Sequence, residues 1–154
     1  MCIRDRCNDT GLEIIKVAEG FFSAPYYCPA SIISIGFGAT RGLDGRPLHM
    51  GVEPITQEEG ETLLRRDVGV AERAVSRLIR VPLNENEFSA LCSFVYNLGS
   101  GRLQSSTLRS LLNRNAPRER VAAELPKWRM ANGKVLKGLV RRRAVERQLF
   151  LTDA

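Results

Sequence analysis

The sequence is poor in the residues that hold metals and build disulfide frameworks. Its 154 residues include one histidine, His49, and four cysteines, Cys2, Cys7, Cys28 and Cys92. These residues match no zinc-ligand spacing, and four irregularly spaced cysteines are too few for a disulfide scaffold. We therefore expect free thiols, no metal and no cofactor, and we assign His49 no role.

Long hydrophobic runs are also missing. No stretch approaches the ~20 consecutive apolar residues of a membrane-spanning helix. The amino terminus, MCIRDRCNDT, lacks the apolar centre of a secretory signal. We expect a protein made in the cytoplasm without a signal peptide and without stable membrane insertion. Residues 1–7 are polar and unpatterned, and we interpret them as a leader of uncertain origin before a single domain at 8–154.

Aromatic residues are scarce, but the composition is otherwise that of a soluble globular protein, with 44% hydrophobic and 26% charged residues. The net charge of +6 favours polyanionic partners, which include nucleic acid, anionic lipid headgroups and the acidic polymers of cell envelopes. Charge alone does not choose among these partners.

Helix signals dominate the chain. Three residue pairs have the capping-box spacing that opens a helix: Thr10 with Glu13, Thr56 with Glu59, and Asn84 with Glu87. The second pair opens a long helix, at about 56–80, that joins lobes at about 8–60 and 80–154. The third opens a helix with a broad apolar face that ends at Gly99. Further helices are predicted at about 105–115, 117–125 and 139–151, with a turn at 131–133.

One region alone has strand character. Between Pro25 and Pro47 the segment SIISIGFG mixes β-branched and aromatic residues with glycine, and GLDGRP carries a turn signal. These patterns predict a small antiparallel hairpin. A helical body with a small strand-bearing lobe is an α+β architecture.

A carboxyl, a thiol and a hydroxyl follow one another around this hairpin. Glu19 ends the first helix beside aromatic residues that would raise its pKa by desolvation, as suits a general acid in glycoside hydrolysis. Cys28 lies nine residues later and Ser34 six beyond it, so a loop into a hairpin could fold both toward Glu19. Taken singly, each has an ordinary alternative: a surface acid, a small buried hydrophobe and a polar strand residue.

Separated segments of the chain follow one order: EGF at 19–21, YCPA at 27–30, SIGFGAT at 34–40, LNENEFSAL at 83–91, FVYNLG at 94–99, STL at 106–108, Trp128, and GLVRRR at 138–143. Together they resemble the phage lysozymes of glycoside hydrolase family 24, which are marked by Glu, then Asp or Cys nine residues on, then Thr six further. The resemblance covers about residues 10–151.

The resemblance implies a lysozyme-like fold and an endolysin-type muramidase. Such an enzyme cleaves the β-1,4 bond between N-acetylmuramic acid and N-acetylglucosamine of peptidoglycan, in a cleft between the two lobes. By position, Glu19 is the general acid, Cys28 the second catalytic group, and Ser34 the residue that holds water in place of the usual threonine. We expect a monomer that binds peptidoglycan and no nucleic acid, and that acts on the cell wall after release.

Two departures from the family pattern bear on activity and stability. Ser34 keeps the hydroxyl but lacks the methyl that restricts its rotamer, so we expect a lower rate without loss of activity. Ala39 replaces a usual histidine, which removes a possible ionic partner of Asp67.

The thiol of Cys28 poses a problem of acid–base chemistry. A free thiol has a pKa of about 8.5, and an ionised glutamate nearby would raise it. We hypothesise an inverting reaction in which Glu19 protonates the leaving oxygen while Cys28 and Ser34 orient water. Cys28 is a strong base only where an arginine or a local dipole lowers its pKa.

Four residues are candidates for substrate binding: Phe37, Asn97, Ser106 and Thr107. For Ser106 and Thr107, glycan binding and helix capping are equal alternatives. Trp128 fits a core or cleft-wall aromatic better than a sugar-stacking platform.

The arginine cluster at 141–143 is either a solvated helix face or a functional element. The resemblance implies that one of these arginines reaches Glu19 and orders it, although such a cation would also lower the pKa of the acid.

Two other functions remain open. A small nucleic-acid-binding domain would explain the charge and the arginines, but not the order of Glu19, Cys28 and Ser34. A lysozyme-like protein that binds peptidoglycan without cleaving it is the other alternative, given the thiol of Cys28 and the serine at position 34.

Overall fold

The computed structural model of the chain describes residues 5–154. Its elements follow in this order: α1 Asp9–Glu19, β1 Phe22–Tyr27, β2 Ile33–Gly36, α2 Gln57–Leu78, α3 Glu85–Leu98, α4 Ser100–Gln104, α5 Thr107–Asn113, α6 Arg118–Ala122, a 3-10 turn Leu125–Lys127, β3 Met130–Ala131, β4 Lys134–Val135 and α7 Lys137–Phe150. Helices combined with small antiparallel sheets confirm the predicted α+β class. Among residues 5–154, no helix is both long and apolar enough to cross a membrane.

The chain forms two compact units. Unit 1 joins the described residues up to Ile14 to Val70–Ala154, and unit 2 is Ile15–Gly69. Most of the predicted leader, including Cys2, lies outside the described residues. Its last residue, Cys7, is buried in unit 1, where its backbone N–H donates to the carboxylate of Glu72 over 2.7 Å.

Two of the three predicted capping boxes are confirmed. At the start of α2, the Thr56 hydroxyl accepts from the backbone N–H of Glu59 over 3.1 Å, and the Glu59 carboxylate accepts from the N–H of Thr56 over 2.9 Å. Asn84 and Glu87 make the same reciprocal pair at α3, at 2.7 and 2.8 Å. These contacts satisfy amides that a helix start leaves unpaired.

The prediction that Thr10 caps α1 is wrong. The helix begins at Asp9, and the Asn8 side chain accepts from the backbone N–H of Gly11 over 2.9 Å. The backbone N–H of Asn8 in turn donates to the Ser89 hydroxyl over 2.8 Å, across 81 residues of sequence. This distant contact holds Asn8 as the cap, so a local capping signal at Thr10 is not used.

The core of unit 1 is built on α3, which packs against α7 and α4. Ala90, Leu91, Cys92 and Phe94 on this helix have no exposed surface. Each fully buried large side chain contributes about 1.5–3 kcal/mol relative to an exposed one. The helix ends at Gly99, as predicted, with the left-handed φ of 91°.

A second hairpin shows that the region from Pro25 to Pro47 is not the only one with strands. Strands β3 and β4 pair across Asn132 and Gly133, which have φ values of 51° and 76°. Positive φ at both central residues is the requirement of a tight type I′ turn, which Asn-Gly meets. The turn was predictable, but strands of two residues carry no periodicity that would reveal them. The short helix α4 also escaped prediction.

Candidate active site

Glu19 is the last residue of α1, as predicted, and the chain leaves the helix at the next residue. Gly20 has a φ of 72°, and its N–H donates to the carbonyl of Lys16 over 2.9 Å. A glycine in the left-handed conformation closes the helix at little steric cost. The half-buried side chain of Glu19 is thereby held where the helix meets strand β1.

Strands β1 and β2 bring Ser34 opposite Tyr26. The antiparallel register pairs Tyr26 with Ser34 and Tyr27 with Ile33, after an irregularity between Phe22 and Tyr26. Residues directly opposite in an antiparallel pair project to the same face. Ser34 is buried, and its hydroxyl lies 3.3 Å from the carbonyl oxygen of Ile32, a long hydrogen bond.

Cys28 lies in the connection between the two strands. Its N–H donates to the carbonyl of Ile32 over 2.9 Å, and its carbonyl accepts from the N–H of Ser31 over 2.8 Å. The thiol is free and partly exposed, unlike those of Cys7 and Cys92, which are buried. Cys28 is therefore not the small buried hydrophobe that the residue type alone would suggest.

The surroundings of Cys28 lower the pKa of its thiol. The largest contribution is a hydrogen bond from the backbone amide of Ile32, and the amide of Ala30 and the hydroxyl of Ser34 add to it, against an opposing effect of burial. The sequence predicts a pKa raised by a neighbouring glutamate unless an arginine or a local dipole lowers it. Of these two causes, the local dipole is the one present: backbone amides donate to the sulfur, stabilise the thiolate and so lower the pKa.

Tyr26 lies near both Glu19 and Cys28. Its pKa is raised, first by burial and then by the negative charges of Glu19 and Cys28, so the tyrosine lies within electrostatic reach of both. The structure thus gathers Glu19, Cys28 and Ser34 around Tyr26. Tyr26 is one of the aromatic residues that follow Glu19 in the sequence, but no pattern in the sequence placed it beside Cys28 and Ser34. The missing signal was the strand register, which pairs Tyr26 with Ser34.

Phe37 belongs to the interior of unit 2. Its side chain is 4% exposed, its ring centroid lies 5.3 Å from that of Phe21, and Lys16 Nζ lies 5.8 Å above the ring. Phe21 in turn contacts α2 at Gly60. Phe37 therefore supports the hairpin by packing, and a sugar contact by its ring stays a prediction.

Asp67 has an ionic partner although Ala39 stands in the usual histidine position. Arg66 Nε lies 3.0 Å from Asp67 Oδ1, and the same guanidinium donates to the carbonyls of Arg41 and Gly42 over 3.1 and 2.6 Å. Ala39 is buried and pairs with Ile35 through backbone hydrogen bonds. The arginine thus ties the segment after β2 to α2.

The substrate-binding candidates of unit 1 differ in how far their polar atoms are engaged. The Ser106 hydroxyl accepts from the N–H of Arg109 over 3.0 Å and donates to the carbonyl of Leu103 over 2.7 Å, which makes it a helix cap. Thr107 is exposed in the first turn of α5. Asn97 is half-buried and accepts a hydrogen bond from Arg143 Nη2 over 2.8 Å.

The three consecutive arginines do not form one solvated face. Arg141 is exposed, whereas Arg142 and Arg143 are buried together with Glu146. Burial raises the pKa of Glu146 and lowers that of Arg143, and their mutual attraction opposes both shifts. Glu146 was predictable as their partner, because positions three and four residues apart share a helix face.

Trp128 is held by an aromatic neighbour, as expected for a core or wall residue. Its ring meets that of Phe94 edge to face, with centroids 5.5 Å apart and an interplanar angle of 88°. The guanidinium of Arg102 lies 6.0 Å from the Trp128 ring centroid.

Comparison with known proteins identifies the family. Residues 16–146 match the family model described as phage lysozyme. The chain is 39% identical over 147 residues to the endolysin of Bacillus phage B103, covering 94% of this chain and 54% of that protein. It is 37% identical to the endolysin of Salmonella phage P22, covering 94% of this chain and 97% of that protein.

A solved structure agrees with these relatives. The endolysin of Escherichia coli O157:H7 phage FAHEc1 superposes with a TM-score of 0.85 at 35% identity, over 95% of this chain and 93% of that one. The chain thus spans about half the length of the B103 endolysin and nearly all of the other two proteins. The chain belongs to the phage lysozyme family of glycoside hydrolases.

Proposed function

We propose that this domain is a muramidase that hydrolyses the β-1,4 bond between N-acetylmuramic acid and N-acetylglucosamine in bacterial peptidoglycan. It acts as a monomer on the cell wall after release from the cytoplasm and lyses the cell. The net charge of +6 attracts it to acidic wall polymers. The observation that carries the proposal is the gathering of Glu19, Cys28 and Ser34 around Tyr26 in a chain of the phage lysozyme family.

The chemistry follows from the types of these side chains. Glu19 gives its proton to the glycosidic oxygen as the bond to the anomeric carbon breaks. Water attacks that carbon from the opposite face and loses its proton to the Cys28 thiolate, which the amides of Ile32 and Ala30 stabilise. Ser34 supplies a hydroxyl that orients the water. The product therefore has the inverted configuration.

The first test is loss of lysis on removal of the acid. Wild type should clear suspensions of purified peptidoglycan, and Glu19→Gln should lower the clearing rate by about 10²–10⁴-fold, the usual contribution of a general acid. Glu13→Gln, an exposed position on the same helix, is the matched control and should clear at the wild-type rate. Clearing by Glu19→Gln at the control rate would remove Glu19 from the mechanism.

The other outcomes discriminate among functions. Binding of wild type to peptidoglycan without clearing would favour a wall-binding homologue over an enzyme. Proton NMR of the sugar released early in the reaction would show the inverted anomer. Initial formation of the retained anomer would instead require a covalent intermediate and contradict the role given to Cys28.

A further inference from the structure

Unit 1 contains a buried polar network between α3 and α7, formed by Ser93, Asn97, Arg142, Arg143 and Glu146. The side chains of Arg143 and Glu146 have no exposed surface. Glu146 Oε2 accepts from the Ser93 hydroxyl over 2.5 Å and from Arg143 Nη2 over 3.1 Å. Arg142 donates to the Ser93 hydroxyl and carbonyl over 3.3 and 3.1 Å. Such a network fixes its members because breaking one contact leaves a charge unpaired.

Arg143 determines which end of the Asn97 amide faces outward. A guanidinium donates hydrogen bonds and accepts none, so the Asn97 atom 2.8 Å from Nη2 is the oxygen Oδ1. The amino group Nδ2 is turned away from Arg143, and the described residues provide it with no hydrogen-bond partner. Asn97 is half-buried, so this amino group remains available. An asparagine that is free to flip can present either its amino group or its oxygen to a ligand, whereas Asn97 can present only its amino group.

A donor held in one orientation is required only by a partner group that accepts hydrogen bonds and does not donate them. Sugar hydroxyls do both and therefore pair with either end of an amide, whereas the carbonyl oxygen of an N-acetyl group only accepts. We propose that Asn97 is a specificity-determining residue that donates from Nδ2 to the acetamido carbonyl of the glycan, with Arg143 and Glu146 as the residues that position it. This inference rests on the proposed function and names the substituent that unit 1 recognises.

Two contacts restrain the guanidinium of Arg143. Arg143 Nε lies 2.8 Å from Glu146 Oε1, an ion-pair contact without hydrogen-bond alignment. Its guanidinium carbon lies 5.3 Å from the ring centroid of Phe94, which closes one face of the group. Arg143 Nη2 donates to both Glu146 Oε2 and Asn97 Oδ1, so the buried carboxylate holds this nitrogen beside Asn97. Lysine at position 143 would keep the charge and lose this planar fork.

The decisive experiment compares two substrates. Turnover is measured on intact peptidoglycan and on the same preparation after chemical removal of the N-acetyl groups, and the ratio of kcat/KM values defines the selectivity. Asn97→Asp keeps the shape of the side chain but replaces the outward donor with an acceptor. We expect about a five- to tenfold loss on the acetylated substrate, in line with one neutral hydrogen bond, and no loss on the deacetylated one.

Asn97→Asp also separates recognition from folding. The new carboxylate accepts from Arg143 in place of the amide oxygen, which turns a neutral acceptor into a charged one, so Tm should stay equal to or rise above that of wild type. Lower selectivity with an undiminished Tm supports the proposal. Unchanged selectivity overturns it. Failure of wild type to cleave either substrate would instead count against the proposed function.

The positioning roles are tested on Arg143 and Glu146. Arg143→Lys and Glu146→Gln should each lower the selectivity ratio toward that of Asn97→Asp, through a higher KM on the acetylated substrate. Arg118→Lys, which alters a partly exposed ion pair with Glu87, is the matched control and should change Tm without changing selectivity. Because a purely structural role would lower activity on both substrates equally, an unchanged ratio in both variants would refute the positioning roles. Should Arg143→Lys not fold, the ratio of Glu146→Gln decides.

Discussion

Cys28 and Ile32 hold each other at the connection between β1 and β2. The N–H of Cys28 donates to the carbonyl of Ile32 over 2.9 Å, and the N–H of Ile32 gives the largest of the effects that lower the pKa of the Cys28 thiol. The turn that joins the strands therefore also sets the acidity of the thiol. A thiolate stabilised by backbone amides needs no cationic side chain beside it.

The pH dependence of activity should follow the residue at position 28. A general base acts when it is ionised, so wild-type activity should fall as pH drops through the lowered pKa of Cys28. A carboxyl group ionises near pH 3.9, well below a thiol. Cys28→Asp should therefore move the acidic limb of the kcat/KM profile to lower pH. The profile is measured on peptidoglycan at constant ionic strength.

Cys28→Ser is the companion variant, because a hydroxyl has nearly the same size but does not ionise in this range. We expect a loss of about 10²–10⁴-fold in kcat/KM and no thiol-dependent limb. Activity equal to wild type in Cys28→Ser would show that the thiol is dispensable.

Alkylation should distinguish Cys28 from the buried thiols. Iodoacetamide reacts with thiolates, and Cys28 combines partial exposure with a lowered pKa, whereas burial raises the pKa of Cys92. In a Cys2→Ser background, labelling should occur first at Cys28. The rate of peptidoglycan clearing should then fall in proportion to the fraction of Cys28 that is labelled. Peptide mass mapping locates the label. Labelling of Cys92 before Cys28 in the native protein would contradict the accessibility described here.

Replacing Ser34 by threonine should raise the rate. The Ser34 hydroxyl makes a long contact of 3.3 Å to the Ile32 carbonyl and also lies close enough to Cys28 to lower the pKa of its thiol, and a β-branched side chain would restrict its rotation. We expect a gain in kcat of about two- to threefold from reduced rotamer freedom, and a loss in Ser34→Ala. Ser23→Thr, at an exposed position of β1, is the control. Equal rates for serine, threonine and alanine at position 34 would exclude a role for this hydroxyl.

The sequence predicted those features that are decided locally. The boxes at Thr56 and Asn84 lie within four residues of chain, and both occur as predicted. The cap of α1 was not predictable in this way, because Ser89 fixes Asn8 from a distant helix. Local rules hold where no tertiary contact competes with them.

The same distinction between local and tertiary effects applies to the candidate active site. The order of Glu19, Cys28 and Ser34 carried the family resemblance, but the direction of the Cys28 pKa shift depends on amides that only the folded turn aims at the sulfur. Likewise, a run of three arginines usually lies in solvent, whereas two of these are buried against Glu146. Counting charges along the chain does not reveal which of them are paired.

Gly60 gives a stability prediction that opposes helix propensity. A Cβ at this position in α2 would lie 2.6 Å from Cε2 of Phe21, whose ring packs on Phe37. Replacing a helical glycine with alanine normally stabilises by about 1 kcal/mol, but here the contact forces the aromatic ring to move. We expect Gly60→Ala to lower the free energy of unfolding by about 1–3 kcal/mol, the usual cost of overpacking. Gly138→Ala in α7, where an added Cβ meets no atom within 4 Å, should raise it instead. Urea denaturation of the two variants measures both effects, and a shift of the same sign in both would show that the Phe21 contact does not limit position 60.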